Sequence, residues 1–257
     1  HHYFVLVKKI FHGTFLKRLK YEFSITNGLD ASGFSSRGWI KEGYQTRFEM
    51  SNGNSWAFTG RLDYKFGKNK YTYFGASAYI NDAAANRPKN DMKESAYVMI
   101  FEGHITYDED YLRFNSIVLW GNLENSNIVT AKNASLSNNL GVKRTPVGKN
   151  ALGFSFEGGY EVLHFFNQTT KQKVYPFVRY DYYDTMNEVE GTVVKKPRWE
   201  RSAIMGGFNW FVHPQIVLKA HYQNRRLGSE NFDPNTLAFT GKKQQENTFS
   251  AGIGFSF

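Results

Sequence analysis

Along most of this chain apolar residues recur at every second position, with polar or charged residues between them. Reading back from the end, Phe257, Phe255, Ile253, Ala251 and Phe249 fall on one parity, and Ser256, Gly254, Gly252, Ser250 and Thr248 on the other. A β-strand has a side-chain period of two, so such a segment has one apolar and one polar face. The pattern predicts eleven strands: Tyr3–Ile10, Leu16–Asn27, Ser55–Phe66, Tyr71–Ile80, Ala96–Tyr107, Tyr111–Trp120, Ala151–His164, Val174–Asp184, Trp199–Val212, Gln215–Arg226 and Glu246–Phe257. Leu152, Phe154, Phe156, Tyr160 and Val162 are expected on one side of the seventh strand, with Glu157 and Glu161 on the other.

The connections alternate between short and long. Phe11-His12-Gly13-Thr14, Gly67-Lys68-Asn69-Lys70, Asp108-Glu109-Asp110 and His213-Pro214 read as tight links, Pro214 sitting where no ladder donor is needed. Gly28–Asn54, Asn81–Ser95, Gly121–Asn150, Thr185–Arg198 and Leu227–Gln245 read as long loops. Within the first of these, Tyr44, Thr46, Phe48 and Met50 alternate and suggest a short extra strand. Short turns at one end and long loops at the other describe a transmembrane antiparallel β-barrel with periplasmic turns and extracellular loops. The reading is therefore all-β, a single barrel domain over residues 1–257. A bacterial single-chain barrel closes with an even number of strands. The odd count, and an opening that already reads as strand, lead to the expectation that amino-terminal strands and a signal peptide precede residue 1.

Composition changes the picture in two places. The mean hydropathy of −0.52 would suit a water-soluble protein, and no stretch reaches the roughly 18 apolar residues of a spanning helix. A barrel escapes that test because only alternate residues meet lipid. The 16 Tyr and 23 Phe suit strands with aromatic girdles. The net charge of +9 raises nucleic-acid binding, but Lys and Arg are scattered along strands and loops, with no basic block longer than a pair and no recognition-helix pattern. No nucleic acid is expected as a partner; a basic channel is the better use of this charge. A soluble β-sandwich or lipocalin-like barrel also alternates. It is disfavoured because charges recur on the polar face of nearly every strand and would need a water-filled lumen.

Several segments resemble the phosphate-selective porin family of outer-membrane channels. The clearest are Tyr175-Pro176-Phe177-Val178-Arg179-Tyr180-Asp181-Tyr182-Tyr183-Asp184 and Phe211-Val212-His213-Pro214-Gln215-Ile216-Val217-Leu218-Lys219-Ala220-His221-Tyr222-Gln223. Tyr21-Glu22-Phe23-Ser24-Ile25-Thr26-Asn27-Gly28 and the Phe-terminated last strand add to it. The chain departs from the family at His221, where members usually carry an acidic residue. The resemblance implies a sixteen-stranded barrel in the bacterial outer membrane, in contact with the lipid bilayer and lipopolysaccharide, usually a homotrimer. It also implies passage of small anions, phosphate among them, past arginines in the lumen.

Assigning the polar face of each strand to the interior places Lys20, Arg61, Lys65, Arg113, Arg179, Arg201, Lys219 and Arg225 inside, together with Glu22, Asp63, Glu102, Glu157, Glu161 and Asp181. The candidate anion path comprises Arg61, Lys65, Arg113, Arg179, Arg201, Lys219 and Arg225. The bland reading of each cation is a wall residue paired with a neighbouring carboxylate, above all Arg61 with Asp63 and Arg179 with Asp181. The expected function is a porin for passive diffusion of small, preferentially anionic solutes. The alternative is a barrel subunit serving as structural partner in a larger outer-membrane assembly with other outer-membrane proteins. The long loops discriminate: folded inward they narrow a pore, and clasping a second chain they mark an assembly subunit. No catalytic residues, cofactor or metal are expected. The histidines lack metal-ligand spacing, and Gly153-Phe154-Ser155-Phe156-Glu157 falls one glycine short of a nucleophile elbow.

Overall fold

The computed structural model describes residues 9–16, 18–45, 51–136, 145–166, 169–229, 232–233, 238–240 and 243–256. In chain order the elements are β1 (Lys9–Leu16), β2 (Leu19–Asn27), β3 (Trp56–Lys65), β4 (Tyr73–Asp82), β5 (Tyr97–Glu109), β6 (Leu112–Leu123), helix α1 (Ser126–Ala134), β7 (Asn150–Tyr160), β8 (Lys173–Glu188), β9 (Glu200–His213), β10 (Ile216–Leu227), β11 (Phe232–Asp233), β12 (Ala238–Phe239) and β13 (Gln244–Phe255). Eleven of the strands form one antiparallel sheet in the order β1 to β10 and then β13; β11 and β12 make a separate two-stranded ribbon. From β2 to β10 each strand pairs with the one before it in sequence, which is the simplest way to connect a sheet through alternate turns and loops.

The expected barrel closure is absent among the described residues. β1 pairs only with β2, and β13 only with β10. Parity supplies the reason: in an antiparallel run the first and eleventh strands point the same way, so they cannot close antiparallel against each other. Both edges leave a row of backbone donors and acceptors without a strand partner. The link expected at Phe11–Thr14 lies instead inside β1, where Phe11 sits opposite Phe23 and His12 opposite Glu22, and the pairing runs on to Leu16 opposite Leu19. Residues 3–8 of the first expected strand, the alternation at Thr46, Phe48 and Met50, and Phe257 lie outside the described residues.

The two faces separate as the alternation requires. On one face Phe23, Trp56, Phe58, Leu62, Phe74, Ile80, Phe101, Trp120, Phe156, Val178, Ile204, Phe208, Tyr222, Phe249, Ile253 and Phe255 are all exposed. Leu152, Phe154, Phe156 and Tyr160 share that face, but Val162 does not, because β7 ends at Tyr160. The opposite face curls inward. Arg61 of β3 and Arg179 of β8 border one cavity, whereas strands five places apart in a flat sheet would lie roughly 24 Å from each other.

The buried core sits at the loop end of this concave face rather than along the sheet. Ala31, Phe34 and Trp39 of the first long loop pack with Ala83, Ala84, Met92 and Ala96 of the second, with Val129 of α1, and with Val98 and Leu123 at the strand ends. Arg87, almost wholly buried, donates to Asp91 at 2.7 Å and to Asn133 of α1 at 2.6 Å. Asn133 in turn donates to the carbonyls of Ala31 and Phe34. The helix was not expected, since Ser126-Asn127-Ile128-Val129-Thr130 places its two apolar residues side by side, with no 3.6-residue repeat to read.

Trp39 keys this cluster to the sheet. Its indole N–H donates to the Gly148 carbonyl at 2.9 Å, and its ring lies where a Cβ on Gly121 would stand. Gly121→Val should therefore lower the unfolding free energy by about 1–3 kcal/mol, the usual cost of overpacking. Gly158→Val, at a position with open space around it, should leave it unchanged or raise it; denaturant titration of the two variants reads the difference.

Candidate functional site

Cross-strand pairing aligns the polar-face residues in rows, and the rows define the site. One runs Glu22, Arg61, Ser77, Glu102, Leu119, Gly153, Tyr183, Arg201, Leu227. The next towards the short-turn end runs Lys20, Asp63, Gly75, His104, Ile117, Ser155, Asp181, Ala203, Arg225, Glu246. A third runs Lys65, Tyr73, Thr106, Asn115, Glu157, Arg179, Met205, Gln223, Thr248. Beyond it, Asp108 and Arg113 share a row with Gly159, Phe177, Gly207 and His221, and Tyr175, Asn209 and Lys219 share the next. All seven candidate cations thus lie on the concave face. Glu161 does not belong to it: β7 has ended, and its carboxylate turns back to the backbone.

Within the first three rows cations and carboxylates are equal in number, and most are paired. Arg61 Nε donates to both oxygens of Asp63 at 3.0 Å. Asp63 also meets His104 Nε2 at 2.8 Å, His104 Nδ1 meets Glu102 at 2.7 Å, and Ser77 donates to Glu102 at 2.7 Å. Arg179 Nε donates to Asp181 at 2.9 and 3.0 Å, with Glu157 3.6 Å from its Nη1. Arg225 is paired with Glu246. Partly exposed pairs of this kind contribute only some tenths of a kcal/mol each. Their larger effect is to cancel one another's field.

The other candidates keep more of their charge. Arg113 Nε donates once to Asp108, at 3.2 Å, and its guanidinium lies 4.2 Å from the ring centre of Tyr175 and 5.6 Å from that of Phe211. Arg201 donates to the Tyr183 hydroxyl at 3.0 Å and stacks near Trp199. Lys65 and Lys219 have no ion pair among the described residues. Arg61 and Arg179 line a cavity of about 450 Å³; Arg113 lines an adjoining one of about 360 Å³. Thr106, Asn115 and Glu157 border both. Arg201, Arg225, Lys65 and Lys219 border neither.

His104 escaped the sequence reading although it alternates with Glu102 on β5, a signal available there. Asp108 was assigned to a turn, and Asn115 and Asn209 carry no charge to draw attention. At the opposite end of the concave face the row Tyr79, Ile100, Gly121, Ala151 is covered by the loop cluster. The long loops accordingly fold over the concave face, directly beside the first charged row.

No family profile matches the chain. It is similar to an uncharacterized protein of Aquifex aeolicus (strain VF5), 25% identical over 206 residues that cover 79% of this chain and 45% of the relative. The chain thus matches less than half the length of that protein.

Glu161, at the short-turn end, accepts N–H bonds from Leu163 at 2.8 Å, His164 at 3.1 Å and Val174 at 3.2 Å. Burial pushes its carboxyl up, but these donors outweigh burial and hold it below the usual carboxylate range. A depressed folded-state pKa gives stability that is present above the unfolded value and lost as pH falls through the folded one. Glu161→Gln should therefore lower Tm most at neutral pH. The gap to the parent protein should narrow on acidification below the ordinary carboxylate range, as thermal unfolding across a pH series will read.

Proposed function

We propose that this chain forms the wall of an outer-membrane β-barrel through which small solutes, preferentially anions, diffuse passively. One observation carries the reading: a continuous exposed face of aromatic and aliphatic side chains lies opposite a concave charged face on the same strands. Water solvates the second and is a poor solvent for the first, so the protein needs hydrocarbon on one side and water on the other. In this reading the edges of β1 and β13 are completed by further strands, sixteen in all as the porin resemblance implies. The barrel meets lipid and lipopolysaccharide and assembles as a homotrimer.

The folding of the long loops over the concave face favours a narrowed pore over a clasp for another protein. Trp39 and α1 are already engaged inside the loop cluster and are not offered outward. Selectivity in this account rests on the cations that lack a tight carboxylate partner. A balanced row of charges orders water and stiffens the wall but does not prefer either sign of ion. Arg113, with one carboxylate contact at 3.2 Å, and Arg201, Lys65 and Lys219, with no ion pair among the described residues, are those cations, and dedicated phosphate uptake is the narrower form of the same proposal.

The test is reversal potential in a salt gradient, measured on the purified protein in planar bilayers. The parent protein should pass chloride in preference to potassium. Arg113→Glu should lower the permeability ratio several-fold, because a reversed charge acts strongly in a narrow passage of low dielectric. Cation preference in the parent, or no conductance at all, rejects the proposal.

A further inference from the structure

The smaller cavity, at the short-turn end, has a composition that a path for bare ions does not require. Phe177 stands on its floor and faces glycine on both neighbouring strands, Gly159 of β7 and Gly207 of β9. No cross-strand side chain therefore covers its ring in that row. Tyr71 forms a second aromatic wall and is half exposed. Asn115 and Asn209 border the same space, and among the described residues neither side-chain amide has a hydrogen-bond partner. Arg113 contributes a guanidinium with one carboxylate contact, while Tyr175 and Phe211 hold its plane in place. Glu157 supplies acceptor oxygens, its nearest cation being 3.6 Å away.

Taken together these groups specify a ligand. An open aromatic ring packs against a flat apolar face. Two free amides both donate and accept, as hydroxyls require. A carboxylate acceptor selects O–H donors and repels a purely anionic or aromatic acid. A preoriented guanidinium takes one carboxylate or phosphate group. The volume of about 360 Å³ falls at the lower end of the roughly 300–1,000 Å³ of small-molecule sites, room for a single ring. We propose that this cavity is a subsite for a monosaccharide bearing one anionic group, with its ring on Phe177, its hydroxyls on Asn115, Asn209 and Glu157, and its anionic group on Arg113. This rests on the channel reading and narrows it from small anions in general to sugar acids and sugar phosphates.

Calorimetry on the whole protein in detergent micelles tests the subsite without relying on conductance. Glucuronate and glucose 6-phosphate should each bind at least tenfold more tightly than glucose, which lacks the charge, and than inorganic phosphate, which lacks the ring. Phe177→Ala should weaken glucuronate about tenfold. Asn209→Ala, a smaller change that keeps the wall intact, should weaken it severalfold, with circular dichroism confirming the β fold in both. Inorganic phosphate binding as tightly as glucuronate, glucose binding as tightly as either, or both variants binding like the parent would overturn the proposal. Bilayer recordings separate the two claims: conductance without glucuronate binding removes the subsite alone, and glucuronate binding without conductance removes the channel reading alone.

Discussion

A sheet whose backbone is fully paired has nothing left to offer water on an apolar face, and this constraint shapes the rest of the molecule. Along β2 to β10 the ladder satisfies the main chain, so the exposed rings of Phe58, Phe101, Phe156 and Phe208 meet their surroundings with carbon alone. A soluble monomer tolerates apolar patches of roughly 300–600 Å². A few aromatic side chains of roughly 150–250 Å² each reach that limit, and this face carries them on almost every strand. Away from the ends of the ladder the charged residues lie on the opposite face, and that face is the one that curls.

The charges on the concave face obey a second constraint, local neutrality. Arg61 with Asp63 and Arg179 with Asp181 lie two residues apart on one strand, so each pair forms without any tertiary contact. His104 then joins the Arg61–Asp63 pair to Glu102 on the adjacent wall. Such networks fix side-chain positions but leave little net field. Away from them Arg113 is held by aromatic rings instead of a second carboxylate, which leaves most of its N–H donors uncommitted. The same wall thus contains stiffening charges and available ones, separated by a single row of the ladder.

Side-chain parity was legible in the sequence because a period of two is written in consecutive residues, and Arg61, Arg113, Arg179 and Lys219 all fell on the polar face it assigned. Register was not legible. It depends on where each turn closes, and β1 runs through Phe11–Thr14 to pair Leu16 with Leu19, a shift no local pattern announces. For the same reason Arg61 could not be matched with Arg201, or Lys65 with Arg179, before the rows were seen. The loop cluster was hidden because its contacts join Trp39 to Gly121 and Arg87 to Asn133, pairs far apart in sequence. Glu161 was misread as wall because alternation says nothing of where a strand ends and its last carboxylate becomes a cap for the next turn.

The chain contains no cysteine, so single cysteines can be placed along β7 from Leu152 to Gly158 in the membrane-reconstituted protein and challenged with a charged, membrane-impermeant thiol reagent and then with a lipid-soluble one. The account predicts strict alternation: Cys at Gly153, Ser155 and Glu157 reacts with the charged reagent, and Cys at Leu152, Phe154, Phe156 and Gly158 only with the lipid-soluble one. Uniform reaction of both sets with the charged reagent would mean that the aromatic face stands in water, and the membrane-wall account would be wrong.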